Sequence, residues 1–234
     1  MNGPGDRGFP GDRGFKDAVY EQLARLGKAL DSPKRLELLD LLAQGERSVE
    51  TLARLAGLGV TNTSAHLQAL ARARLVAARK QGTRVLYRLA DDRVARFLAE
   101  LRRLAHARLA DLDQAVGGYL EAPGDPEPVT RAELAARMAR REVVVLDVRP
   151  AEEYAAAHIP AARSVPLERL EAELDRLGLP RDREIVAYCR GPYCVYAPRA
   201  VRLLRERGFL ARRLEDGLPE WRLAGLPVTA TPAA

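Results

Sequence analysis

The chain is poor in cysteine, histidine, methionine and aromatic residues. Its 234 residues include two cysteines, three histidines, two methionines and one tryptophan, and aromatic residues make up only 5%. Two cysteines, Cys189 and Cys194, do not make a disulfide framework. The fold must therefore rest on a packed core, and a reducing cytoplasm is the expected setting. No window of about 18 apolar residues occurs, and no apolar segment follows the N-terminus, so neither a membrane span nor a signal peptide is predicted. The histidines are scattered and the cysteines share one short stretch. That falls short of the ligand counts of metal centres, so no metal and no cofactor are expected.

What is present is a globular composition, 47% hydrophobic and 30% charged, in a length suited to one or two domains. The net charge of +6 is unevenly placed. Between positions 47 and 90 stand Arg47, Arg54, Arg72, Arg74, Arg79, Lys80, Arg84 and Arg88 against one acid, Glu50. That local excess of seven exceeds the net charge of the whole chain and points to a polyanion, with nucleic acid first.

Residues 1–15 carry the near-duplicate Gly5-Asp6-Arg7-Gly8-Phe9 and Gly11-Asp12-Arg13-Gly14-Phe15, a Gly-rich charged composition that predicts a disordered tail. Residues 16–30 form an amphipathic helix with Val19, Leu23, Leu26 and Leu30 on one face. Asp31-Ser32-Pro33 stops it and starts a second helix, with Leu36, Leu39 and Leu42 inward. Ser48 begins a third helix, Gly57-Leu58-Gly59 is a turn, and a fourth helix runs over residues 61–73 with Val60, Ala65 (or Ser64), Leu67 and Leu70 expected inward. Together they form a helix-turn-helix. The second helix of that unit opens with Thr61, Asn62, Thr63, Ser64, His66 and Gln68, polar side chains suited either to bases and phosphates or to capping and solvation. Two strand-like runs, residues 75–80 and 84–89, flank Gln81-Gly82-Thr83. They predict a hairpin wing whose tip presents Arg79, Lys80 and Arg84 to phosphates.

On Ala29-Leu30-Asp31-Ser32-Pro33-Lys34-Arg35-Leu36, Thr63-Ser64-Ala65-His66-Leu67-Gln68-Ala69-Leu70 and the Gly82 wing, this half resembles the ArsR family of winged-helix transcription factors. The resemblance implies a homodimer, usually repressive, that binds double-stranded DNA and releases it when an inducer arrives. It also assigns residues 91–120, with the N-terminal helix, to dimerisation. The cysteine pair that many metal-sensing relatives carry in the third helix is absent here. His106, near Asp111 and Asp113, lacks a second imidazole and is expected on a polar face or dimer contact.

Residues 121–128 hold Pro123, Pro126 and Pro128 and predict a semi-rigid linker. Beyond it, Thr130 and Glu133 make a capping box. Val143-Val144-Val145-Leu146-Asp147-Val148 is a buried strand, and strands and helices then alternate, implying an α/β fold with a parallel sheet. Glu184-Ile185-Val186-Ala187-Tyr188-Cys189 reads as another buried strand, ended by Arg190-Gly191-Pro192 before a helix over residues 197–207. A cysteine there faces loop amides and a helix N-terminus, which favour its thiolate, and Arg190 would lower its pKa further. The Cys-x5-Arg pattern of cysteine phosphatases is not met, because Val195 stands six residues after Cys189.

The motifs Leu146-Asp147-Val148-Arg149, Glu152-Glu153-Tyr154, His158-Ile159-Pro160-Ala161-Ala162, the Cys189 loop, Asp216-Gly217 with Trp221, and Gly225-Leu226-Pro227-Val228 resemble a rhodanese domain over residues 129–228. The resemblance implies that Cys189 takes up sulfane sulfur as a persulfide, held by the loop Cys189, Arg190, Gly191, Pro192, Tyr193 and Cys194. Asp147 and Arg149 are expected to organise the loop. Cys194 is either a thiol that resolves the persulfide or a small packed residue.

The chain thus divides into a tail (1–15), a mainly α winged helix-turn-helix domain (16–121), a linker (122–128) and an α/β rhodanese-like domain (129–234). The joint expectation is a cytoplasmic transcriptional regulator, a repressor, that senses or carries reactive sulfur at Cys189. The alternative is a sulfurtransferase, drawing on a sulfane-sulfur donor and a thiol acceptor, that the winged helix localises or dimerises.

Overall fold

A computed structural model describes residues 12–230, which form two compact units. One takes in the described residues up to Asp40 and Glu46–Ala90; the other takes in Leu41–Gly45 and the residues from Asp91 onward.

The first unit opens with α1 (Asp12–Leu30). Residues 12–15 of the expected tail are thus helical, and residues 1–11 lie outside the described residues. Helix α2 (Pro33–Ala43) follows, and its last turn belongs to the second unit. Arg35 joins the two helices: its guanidinium donates to the carbonyls of Ala29 at 2.6 Å and Lys28 at 2.8 Å, groups that the end of α1 leaves without helical partners. Leu38 and Leu39 are fully buried, while Leu36 is only half-buried.

Strand β1 (Arg47–Ser48), α3 (Val49–Ala56) and α4 (Val60–Arg72) follow. Ser48 caps α3, accepting from the Thr51 amide, and Gly57 ends it in the left-handed conformation that glycine adopts freely. Helix α4 buries Thr63, Leu67 and Leu70. Val60 and Ala65, expected inward, are exposed, because the buried stripe starts one turn into the helix at Thr63. Strands β2 (Val76–Gln81) and β3 (Arg84–Leu89) pair antiparallel in a sheet of order β1-β3-β2. Gly82 turns the hairpin at φ +60°.

The second unit begins with α5 (Asp92–Arg108) and α6 (Ala110–Leu120). The single helix expected over residues 91–120 is broken at Leu109, whose φ −118° and ψ 93° are extended. Within the linker, the Asp125 carboxylate accepts from the Ala122 amide at 2.8 Å and pairs with Arg202 at 2.7 Å.

The remaining elements are α7 (Arg131–Ala139), β4 (Val143–Asp147), α8 (Ala151–Ala156), β5 (Arg163–Ser164), α9 (Leu167–Glu173), β6 (Glu184–Cys189), α10 (Tyr196–Glu206), β7 (Ala211–Gly217) and α11 (Leu218–Leu223). The sheet order is β5-β4-β6-β7 and every pairing is parallel. Alternation along β6 divides its side chains between two cores. Ile185, Ala187 and Cys189 join Leu146, Val201 and Leu204; Val186 and Tyr188 join Leu134, Leu214 and Trp221. The cysteine therefore ends one of the two inner strands of the sheet, at its carboxyl edge, where such sheets place their sites.

Candidate functional site

In the first unit, Thr61, Asn62 and Gln68 lie exposed on α4, and Ser64 and His66 are half-buried. Thr63 is different: it is fully buried, and its hydroxyl donates to the Gly59 carbonyl at 3.0 Å, so it braces the helix start from within. On the wing, Lys80 and Arg84 are exposed at the tip. Arg79 pairs with both carboxylate oxygens of Glu46, one of them at 2.8 Å from Nε. The pair is exposed on the Arg79 side, where water screens it, so it is weakly held. Glu46 stands one residue before the basic stretch, which is why counting charge along the sequence passed it over. Arg47, counted in that stretch, is buried.

In the second unit, Cys189 sits at the tip of β6 with 2% of its surface exposed. Its Sγ lies 3.4 Å from the Cys194 carbonyl oxygen and 4.0 Å from that of Gly191. Burial pushes the Cys189 thiol up, and the neighbouring Cys194 sulfur adds to this against the opposing amides of Ala197 and Gly191. At Cys189, removal from water thus opposes the loop amides that were expected to favour its thiolate. Half-buried Cys194 is lowered to about 7 by the hydrogen bond from Cys189, with the amides of Tyr196 and Arg190 and the Arg190 charge assisting against burial. Arg190, expected to act on Cys189, is held instead by Glu153 at 2.6 Å and lies over the Tyr196 ring.

Trypsin cuts after Arg190 and separates the two cysteines, so peptide mass after alkylation reads each one. Labelling of Cys194 should fall about tenfold from pH 8 to pH 6, as its thiolate is lost below a pKa near 7. Labelling of Cys189 should still be rising at alkaline pH, where Cys194 has levelled off. Parallel profiles would contradict this assignment.

Behind the loop lies a buried ion pair. The Arg149 Nε donates to Asp147 at 2.9 Å, its amide donates to the same carboxylate at 3.0 Å, and its Nη2 also reaches the Ala157 carbonyl at 2.7 Å. The Tyr188 hydroxyl donates to Asp147 Oδ2 and accepts from the Ile159 amide at 3.1 Å. Asp147 and Tyr188 are register partners at the ends of β4 and β6, so these bonds join the two strand ends beside the loop. Tyr193 bonds His106 Nε2 at 2.9 Å, and the other ring nitrogen of His106 meets Asp113. A cavity of about 560 Å³ opens beside the loop, lined by Arg96, Arg102, His106, Arg131 and Tyr193 among others.

Several residues of the site had no role assigned from the sequence. Glu153 belongs to the Glu152-Glu153-Tyr154 motif, which assigns it no role. Gln44, whose Nε2 donates to the Arg190 carbonyl at 2.6 Å, carried no signal at all, since it lies far from the loop in sequence. Gly217 pairs with Cys189 across the sheet, and any Cβ there would stand 2.4 Å from the Arg190 carbonyl carbon and oxygen.

Residues 32–78 match the arsR family of bacterial regulatory proteins, and residues 130–224 match the rhodanese-like domain. The chain is 52% identical over 214 residues to the HTH-type transcriptional regulator Rv0324 of Mycobacterium tuberculosis, covering 91% of this chain and 92% of that protein. It is 31% identical over 99 residues to a sulfurtransferase of Allochromatium vinosum, covering 42% of this chain and 89% of the other. Among solved structures, the homodimeric winged helix-turn-helix domain of Mb0332 from Mycobacterium bovis is 46% identical, with a TM-score of 0.39, over 47% of this chain and 95% of that one.

Proposed function

Since the chain belongs to the ArsR family of winged-helix transcriptional regulators and carries a C-terminal rhodanese-like domain, we propose that reactive sulfur taken up at Cys189 sets its affinity for DNA. The observation that carries this reading is the placement of both cysteines of the chain in one amide-lined loop at the carboxyl edge of the parallel sheet. The helix-turn-helix half has no thiol, so a sulfur signal has only that loop to enter.

The chemistry balances on the groups present. Cys189 gives its proton to the Cys194 thiolate along the bond they share, and its sulfur attacks the terminal sulfur of a polysulfide. A sulfur–sulfur bond forms, the donor's own bond breaks, and the donor leaves one sulfur shorter with the electron pair. The resulting persulfide is held by the loop from Arg190 to Cys194. Cys194, deprotonated again, then attacks the inner sulfur, which closes a disulfide and expels hydrosulfide.

The regulator acts as a repressor and as a homodimer. Phe15, Val19, Tyr20, Leu23 and Leu26 of α1 and Phe97 and Leu104 of α5 are exposed in the single chain, and a second copy would cover them. Thr61, Asn62 and Gln68 on α4, with Lys80 and Arg84 on the wing, face the DNA. Ser64 and His66 join them, and so does Arg79 once Glu46 releases it.

Operator affinity is to be measured with and without polysulfide. The full-length protein should lose affinity at least about tenfold, an ordinary allosteric coupling, and Cys189→Ser should lose none. Intact mass should show either one added sulfur or the loss of two hydrogens. An unchanged affinity for the treated wild type would sink the sensing role.

The similarity to a sulfurtransferase favours a second reading, in which the same loop turns over thiosulfate or a persulfide with a thiol acceptor. Rapid multiple turnover would favour the enzyme, and retention of one sulfur per loop would favour the regulator.

A further inference from the structure

The loop that would carry the sulfur depends on the direction of one peptide. In a trans peptide the carbonyl and the N–H point opposite ways. Whatever holds the carbonyl of Arg190 therefore aims the amide of Gly191. That amide is one of the two whose hydrogen bonds pull the Cys189 thiol down against burial. The partner of the Arg190 carbonyl is Gln44, at 2.6 Å.

Gln44 is 2% exposed and follows Ala43, the last residue of α2. Its two amide ends are distinguished by their neighbours. Arg149 Nη1, which can only donate, lies 3.4 Å from Oε1, and the Arg190 carbonyl, which can only accept, lies against Nε2. Arg149 is itself fixed by Asp147 and by the Ala157 carbonyl. The side-chain amide therefore has one satisfied orientation. The peptide it holds rests on Gly217, where no Cβ intervenes.

We infer that Gln44 is a positioning residue of the Cys189 loop, which aims the Gly191 amide at the cysteine sulfur and joins the state of that loop to the end of α2. The second half of this inference rests on the sulfur-sensing reading above; the first half does not. Loading sulfur onto Cys189 moves the charge that the Gly191 amide must meet. A peptide that turns to follow it takes the Arg190 carbonyl away from Gln44, and the chain enters the helix-turn-helix five residues later, at Val49.

The test uses the full chain with Gln44→Met, which keeps the side-chain length without the amide, and Gln44→Ala as a second variant. The rate of iodoacetamide labelling is followed against pH on the two tryptic peptides, residues 184–190 for Cys189 and 191–199 for Cys194. Labelling needs no sulfur donor, so it decides the positioning role even if sensing fails. Removing the amide should slow Cys189 labelling at pH 7 about threefold to tenfold and move its profile to higher pH. A merely structural residue would do the opposite, since loosening the packing exposes a buried thiol and speeds it. Unchanged or faster Cys189 labelling in either folded variant overturns the positioning role.

Operator affinity with and without polysulfide then tests the link. The wild-type change should be absent from both variants. A variant that keeps the full change overturns the link, and a wild type with no change overturns the sensing reading on which it rests.

Discussion

Replacing Arg149 by methionine is expected to cost the second unit about 3–5 kcal/mol, the usual consequence of breaking a buried ion pair from one side. Arg149 and Asp147 are both fully shielded from solvent, and their closest contact is 2.5 Å. Without the guanidinium, the Asp147 carboxylate keeps only the Tyr188 hydroxyl and the amide of residue 149, in a site that water does not reach. Trp221 makes the measurement specific. It is the single tryptophan of the chain and is buried in the core that also holds Tyr188. Its fluorescence through a urea titration reports on this unit. A double variant, Asp147→Leu with Arg149→Met, should recover a large part of the loss, because no unpaired charge remains. If the single variant unfolds at the wild-type urea concentration, the pair does not support the site.

Gly217→Ala should be the most damaging exchange of a glycine for alanine in the second unit. A methyl group there would stand 2.4 Å from the Arg190 carbonyl carbon, from its oxygen and from the Gly191 nitrogen, all of them backbone. Nothing flexible can give way, so the loop must move or β7 must part from β6. Overpacking of this kind costs about 1–3 kcal/mol. The larger effect should fall on chemistry, because the displaced peptide carries the amide that faces Cys189. Sulfur uptake, read as added mass on the tryptic peptide of residues 184–190, should fall below detection. Gly191→Ala is the contrast. A Cβ there meets only the Glu220 carboxylate, at 3.7 Å or more, and stability should stay close to wild type. Equal losses from the two substitutions would remove the packing argument.

The sequence was most informative where the causes are local. Ser48 and Thr130 cap their helices through the Thr51 and Glu133 amides, as hydroxyls placed ahead of helical runs should. Alternation along β6 divides its side chains between two cores, and the hairpin turns at Gly82. The motifs of the two halves carry the family resemblances, and these hold. Patterning went wrong where an interval admits more than one phase. The apolar spacing of α4 fits an inward Val60 as well as an inward Thr63, and only packing selects Thr63. The long helix before the linker breaks at Leu109 without glycine or proline to announce it.

For the site, the sequence by itself determined which atoms are available: two thiols in one loop after a buried strand, an aspartate and an arginine at the neighbouring strand end, and no thiol near the DNA-binding helices. These follow from residue order and from short-range preferences of the backbone. Tertiary structure alone decided how those atoms behave. Thiol acidity depends on how much water the fold removes, so burial pushes the Cys189 thiol up against its loop amides. The partners of Arg190 depend on which distant segments the fold brings beside it, so Glu153 took its charge and Gln44 took its carbonyl. Burial and long-range closure belong to the folded chain as a whole, and no spacing of residues along it records them.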